Sequence, residues 1–188
     1  MPEYDVDLFI IGAGSGGRRA ALVAKSHGAT VALAENSNFG GTCVNLGCIP
    51  KKLMTYLAGY ESPMQNAAGY GWSIGERSLD WKKFIDKKNA TIKSLNQKHE
   101  KKHKDKGIDI LWDAAKILDP HTVQVGDKTI TTERILIGTG GKPAIPNIEG
   151  AAEYGLTSDD MFFLEQVPKH MVIVGVGFIG LEFASIFN

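Results

Sequence analysis

Cys43 and Cys48 are separated by four residues within GGTCVNLGCIPKK, residues 40–52. A close thiol pair flanked by glycines and lysines suits thiol–disulfide exchange. Near a predicted helix start, the helix dipole and unpaired amides favour the thiolate, which is the nucleophilic form. A metal site is the competing reading, but four-coordinate zinc needs two more ligands and the five histidines supply no matching second pair, so no metal is expected. His99 and His103, at i and i+4, are expected to be exposed to solvent. Two buried, unreactive cysteines are the remaining alternative.

A second chemical signature lies upstream. Gly12, Gly14 and Gly17 follow a strand signal at Val6–Ile11 and open a helix with small residues at Ala20, Ala21 and Ala24. Missing side chains there permit a tight turn, close approach to a pyrophosphate and close helix packing, while helix N-terminal amides receive the phosphates. Glu35 ends the next strand, Val31–Glu35, where a carboxylate would accept hydrogen bonds from an adenosine ribose. An ordinary glycine turn of an α/β protein is the bland reading; strand, helix and acid together favour a dinucleotide. Gly175, Gly177 and Gly180 repeat the pattern after a strand signal at 170–174. The residue that would separate NADPH from NADH falls about 20 positions beyond such glycines, past Asn188, so both remain open.

These sites require a doubly wound α/β frame. The first strand, crossover helix and second strand form its β–α–β opening. A helix is expected over 43–59, and another over 79–106 with an apolar stripe at Trp81, Phe84, Ile85, Ile92 and Leu95. Residues 108–138 read as a small antiparallel insert, with a hairpin at Gly126 and Asp127. Pro143, Pro146, Gly150 and Pro168 mark 143–168 as a connection, after which a second unit begins.

Composition narrows the classes further. The chain has 188 residues, 43% hydrophobic and 22% charged, which fits a globular fold and neither a disordered nor a fibrous one. Its 21 basic and 21 acidic residues cancel, so nothing in the overall charge points to nucleic acid or an anionic membrane. The longest apolar run, Met171–Leu181, is shorter than the ~18 residues of a spanning helix. Glu3, Asp5 and Asp7 stand where a secretory signal would carry basic residues, so a cytoplasmic protein is expected.

GAGSGG at 12–17, the cysteine motif, TGGKP at 139–143 and GVGFIGLE at 175–182 together resemble the flavin-dependent pyridine nucleotide–disulfide reductases. The PKK ending is most similar to their glutathione reductase branch. The resemblance runs through essentially the whole chain and extends to the first part of such an enzyme. It implies a Rossmann-like FAD-binding domain over 1–150, with a parallel sheet and an antiparallel β insert. Residues 151–188 would then be a linker and the start of a second, NAD(P)-binding Rossmann-like domain.

The resemblance also implies roles. Ser15, Gly16, Glu35, Thr42, Cys43, Lys51 and Ala115 match positions that contact FAD, with Thr139 and Gly140 nearby. Cys43 matches the interchange thiol and Cys48 the thiol beside the flavin. Electrons would pass from NADPH, or NADH, to FAD, to the Cys43–Cys48 disulfide and on to a substrate disulfide. Lys51 and Glu182 match an ion pair beneath the flavin, with Lys52 the alternative partner. Phe178 stands where a tyrosine lid is commoner. The family's acid–base His and Glu, donated across a homodimer, belong to the C-terminal region.

For the substrate, residues 78–107 hold ten lysines against Asp80, Asp86, Glu100 and Asp105. Matching to the family puts Lys98, His99 and Lys102 on the substrate side of this helix, where cations would suit the carboxylates of glutathione disulfide. A solvated lysine-rich face is the alternative. Arg19 stands where trypanothione reductases carry an acid, which argues against a cationic substrate, while Leu22 lacks the arginine of many glutathione reductases. A dihydrolipoamide dehydrogenase or mercuric reductase relative, or an FAD-binding module without turnover, are the other readings.

Overall fold

The computed structural model describes residues 4–188, so Glu3 lies outside the described residues. The chain divides into two compact units, one of Met1–Asn45 with Ile92–Lys142 and one of Leu46–Thr91 with Pro143–Asn188.

The first unit is built on a six-stranded sheet. Strand β1 (Val6–Ile11) leads through a glycine turn into helix α1 (Ser15–Ser26) and then β2 (Val31–Glu35). The two strands pair in parallel, with Leu8 opposite Val31 and Ile11 opposite Ala34. Strand β3 (Asp109–Trp112) extends the sheet beyond β2, also in parallel. Phe9 and Ile10, adjacent in β1, are both fully buried, as a central parallel strand covered on both faces requires. Ile10 and Leu33 pack with Ala21 of α1, whereas Phe9 and Ala32 pack with Val123 and Val125. The small residues of α1 therefore let a helix lie close on one face.

The opposite face is covered by β strands. β4 (Ala115–Asp119), β5 (Thr122–Val125) and β6 (Lys128–Ile137) follow one another, with β5 and β6 joined through Gly126 and Asp127. Gly126 takes a φ of +57°, in keeping with a tight hairpin turn. The antiparallel insert is smaller than the sequence suggests. Thr131 is the last residue of β6 opposite β5, and from Thr132 to Ile137 the same strand pairs in parallel with β1. A ten-residue strand outlasts its four-residue neighbour, leaving backbone groups that β1 satisfies. β3 likewise belongs to the parallel sheet.

The second unit is helical. It contains α3 (Cys48–Ala58), α4 (Glu61–Asn66), the four-residue α6 (Ala151–Tyr154) and α7 (Phe178–Phe187). The helix expected over 43–59 is split, because Gly47, at φ −161° and ψ −113°, separates α3 from α2 (Gly41–Asn45). α5 (Trp81–Asp105) gives its first part to this unit and its second to the other. Met54, Met161, Phe162 and Phe183 form the core, with the Phe162 and Phe183 rings 5.4 Å apart. Trp81 packs at its edge and donates its indole N–H to the Leu164 carbonyl at 2.8 Å.

No strand forms at 170–174. Val172 and Val174 are exposed, since a strand needs a hydrogen-bonded neighbour and none lies alongside among the described residues. Among the described residues, no helix is long and apolar enough to cross a membrane.

Candidate functional site

In the first unit, the C-terminal ends of β1, β2 and β6 converge on the glycine turn. The Gly12 N–H donates to the Ala34 carbonyl and the Gly138 N–H to the Ile11 carbonyl, both at 2.8 Å. Gly12 takes a φ of +104°, and a Cβ there would run into the Gly138 carbonyl oxygen, with Thr139 just behind. A Cβ on Gly17 would collide with the Gly12 carbonyl, whereas one on Gly16 would meet nothing within 4 Å. The turn is thus closed at Gly12 and Gly17 and open at Gly16.

That opening faces the start of α1. Its N-cap, Gly14, provides no side-chain cap, and no acid occupies the first turn. The leading amides of a twelve-residue helix are left for an external acceptor such as phosphate. Glu35 is fixed beside the turn: Oε2 accepts from the Ala13 N–H at 2.8 Å and Oε1 from the Ser37 N–H at 2.9 Å. Each carboxylate oxygen keeps a further lone pair for a ribose hydroxyl. The open cradle, uncapped amides and anchored acid fit the pyrophosphate and ribose of a dinucleotide. Thr139 and Gly140 are exposed immediately after Gly138. Ala115 packs on the cluster that contains Ala34, the neighbour of Glu35.

The cysteine-bearing α2 abuts the same turn. Gly40 and Gly41 both have positive φ, the Gly40 N–H donates to the Ala13 carbonyl at 2.9 Å, and a Cβ on Gly41 would press against the Gly14 Cα. Whereas a Cβ on Gly14 would meet the Gly41 Cα at an ordinary 3.7 Å, the approach requires glycine at position 41. It places exposed Thr42 and half-buried Cys43 next to the start of α1. Asn45 anchors α2 by donating to the Gly41 carbonyl at 2.9 Å and by accepting from Asn96 of α5 at 2.8 Å.

α5 and α1 meet through His103. It is 1% exposed, with its ring nitrogens 2.7 Å from the His99 carbonyl and 3.1 Å from that of Arg18. The expected solvent exposure of the His99–His103 pair is therefore incorrect: His103 is buried and His99 half-buried, because they stand on the inward stripe of α5. Burial, followed by the charges of Arg18, His103 and Lys102, pulls the His99 pKa down. Arg19, Lys98 and Lys102 are exposed. No group of three or more His, Cys, Asp or Glu side chains gathers among the described residues.

In the second unit, Cys48 is the exposed first residue of α3, after a Gly47 that offers no side-chain cap. Packing of Met54 with Phe183 joins α3 to α7 and brings their polar neighbours together. Lys51, one turn before Met54, donates to Glu182 Oε1 at 2.7 Å. Lys52 instead lies 5.0 Å from the Tyr56 ring. Gly175 and Gly180 reproduce the first turn's logic, with φ +109° at Gly175 and the Gly175 carbonyl 2.6 Å from a Cβ on Gly180. Gly177 is the uncapped N-cap of α7, and Phe178, its first residue, is exposed.

Arg18, His103 and Asn96 are contributors that motif reading misses. The adjacent Arg18 and Arg19 look alike in sequence, and only the packing of α1 leaves Arg18 half-buried and Arg19 exposed.

A parallel sheet with a phosphate-ready glycine turn at its carboxyl edge, and a cysteine helix seated against that turn, define a dinucleotide-binding redox class. The family model described as pyridine nucleotide-disulphide oxidoreductase matches residues 6–188, and the chain belongs to that family. It is 46% identical over 185 residues to a glutathione reductase of Nostoc sp. (strain PCC 7120 / SAG 25.82 / UTEX 2576), covering 98% of this chain and 40% of the relative. It is 44% identical over 188 residues to a glutathione reductase of Burkholderia cepacia, covering 100% and 42%. A protein named thioredoxin reductase SEP1, from Emiliania huxleyi, is 39% identical over 197 residues, covering 97% and 40%. The chain thus spans about two fifths of the length of these relatives.

Proposed function

We propose that this chain is the FAD-binding domain, residues 1–150, and the linker and opening of the NAD(P)-binding domain, 151–188, of a disulfide reductase of the glutathione reductase type. The observation that carries the reading is the contact of Gly41 with Gly14, which sets a cysteine helix against the uncapped start of α1. Bound FAD supplies two-electron transfer from NADPH, or NADH, to the cysteine pair. Amides of residues 14–17 receive its phosphates and Glu35 its ribose. Thr42, Ala115, Thr139 and Gly140 line the remaining contacts, and Lys51, held by Glu182, keeps a cation at the flavin site. Gly175, Gly177 and Gly180 serve the nicotinamide nucleotide, with Phe178 as the aromatic lid.

With the pair reduced, the Cys43 thiolate attacks one sulfur of the substrate disulfide, forming a mixed disulfide and expelling one thiolate. Cys48 then attacks the Cys43 sulfur, releasing the second thiolate and restoring the Cys43–Cys48 disulfide. Glutathione disulfide is the proposed substrate, with Arg19, Lys98, His99 and Lys102 as candidate contacts. The full-length protein acts as a cytoplasmic homodimer, and an acid–base pair from the C-terminal region protonates the leaving thiolate.

Purified full-length protein should be yellow, develop a long-wavelength absorption band with limiting NADPH, and consume NADPH with glutathione disulfide in preference to lipoamide or thioredoxin. The band should be lost in Cys48→Ser. Colourless protein, or an unchanged band in the variant, would overturn the reading.

A further inference from the structure

Arg18 belongs to none of the motifs above, yet it stands one turn beyond Gly14, on the side of α1 that meets the cysteine helix. Its guanidinium Nε is buried and has no hydrogen-bond acceptor among the described residues. Its backbone is fixed, because the Arg18 carbonyl is held by His103, itself braced on the His99 carbonyl. The Gly14–Gly41 approach sets α1 against the helix that carries Cys43. The Cys43 sulfur and the Arg18 charge attract one another, which raises the Arg18 pKa against the larger lowering by burial.

The other basic groups nearby are differently placed. His99 is half-buried with its protonation opposed by burial and by Arg18, while Lys98 and Lys102 are exposed. The guanidinium is therefore the half-buried cation on the side of α1 that meets the cysteine helix. Its planar fork is suited to a carboxylate, and its charge acts on anions at the helix junction without direct contact.

We propose that Arg18 is a specificity-determining residue that makes the surroundings of Cys43 anion-selective, drawing carboxylate-bearing disulfides or electrophiles to the sulfur ahead of neutral ones. This rests on the reading of Cys43 as the thiol that meets the substrate. It assigns the selection to a half-buried side chain of α1 rather than to the exposed lysines of α5.

The test uses reduced full-length protein carrying Cys48→Ser and two alkylating probes, anionic iodoacetate and neutral iodoacetamide. In each reaction the Cys43 sulfur forms a bond to carbon and iodide leaves. Modification of the Cys43 peptide is read by mass spectrometry at neutral pH and low salt. The ratio of the two rates cancels the thiolate fraction and reports charge selection alone.

Arg18→Gln should lower the iodoacetate-to-iodoacetamide ratio about three- to tenfold, the Coulomb effect expected of one charge a few ångströms away in a partly hydrated site. Arg18→Lys should retain most of it. An unchanged ratio in Arg18→Gln overturns the proposal. If that variant does not fold, the unsubstituted Arg18 protein still decides. Its ratio should exceed that of a free cysteine peptide at low salt and fall toward it at about 0.5 M salt; equality at low salt overturns the proposal. Neither measurement needs turnover, so loss of glutathione disulfide reduction would refute the function without touching this inference.

Discussion

Lys51 Nζ lies 2.7 Å from Glu182 Oε1, joining two residues 131 positions apart in the chain. The pair is held by the helices behind it: Met54, one turn along α3, and Phe183, the neighbour of Glu182, share one buried cluster. The side chains retain 28% and 39% of their exposure, so solvent screens the attraction. Glu182→Gln should cost less than about 1 kcal/mol in urea unfolding. Under the proposed function, it should also make the flavin easier to reduce in a redox titration, because the Lys51 cation is no longer neutralised. A large stability loss with an unchanged potential would show the pair to be structural.

Two neighbouring glycines should respond oppositely to alanine. Gly17→Ala drives a Cβ into the Gly12 carbonyl, whereas Gly16→Ala meets open space. The first should lower stability by at least about 2 kcal/mol, the second by no more than about 0.5 kcal/mol. Thermal melts check the contrast, and retention of FAD should fail with the first.

Lys88 is 2% exposed, and its ammonium has an Asn89 Oδ1 acceptor at 2.6 Å and the Phe163 ring at 5.2 Å. Burial pulls its pKa down. An isosteric apolar chain avoids the desolvation, so Lys88→Met should be neutral or more stable by about 1 kcal/mol in chemical denaturation. A loss above about 2 kcal/mol would mean the amine's contacts outweigh its burial.

Acid should weaken the fold through His99. Its folded pKa is depressed, chiefly by burial, so below the unfolded value of about 6.5 the unfolded chain binds more protons. Stability from this group is therefore full above that value, declines as pH falls toward the depressed folded pKa, and levels off below it. His99→Gln should flatten this part of the stability–pH curve; an identical slope in the variant would assign the effect elsewhere.

Much of the frame is legible from local pattern. β1, α1 and β2 lie where the strand, glycine and small-residue signals put them, since each is specified by residues within one turn or one strand. The stripe of α5 is equally readable at Trp81, Phe84 and Ile92, but its polar members, Lys88 and His103, are not. Their burial depends on Phe163 and on the Arg18 carbonyl, contacts from distant parts of the chain. The valines near 172 show the reverse failure, because a strand pattern cannot create a partner strand.

The amino-acid sequence by itself determined the glycine turns, the cysteine spacing and the family, because these depend on residue type at short fixed intervals. Only the tertiary structure decided that Lys51 rather than Lys52 meets Glu182, and that Arg18 rather than Arg19 is half-buried. Adjacent residues on a helix point about 100° apart. Which of two like charges turns inward is set by the neighbouring element, and local sequence carries no record of where that neighbour lies.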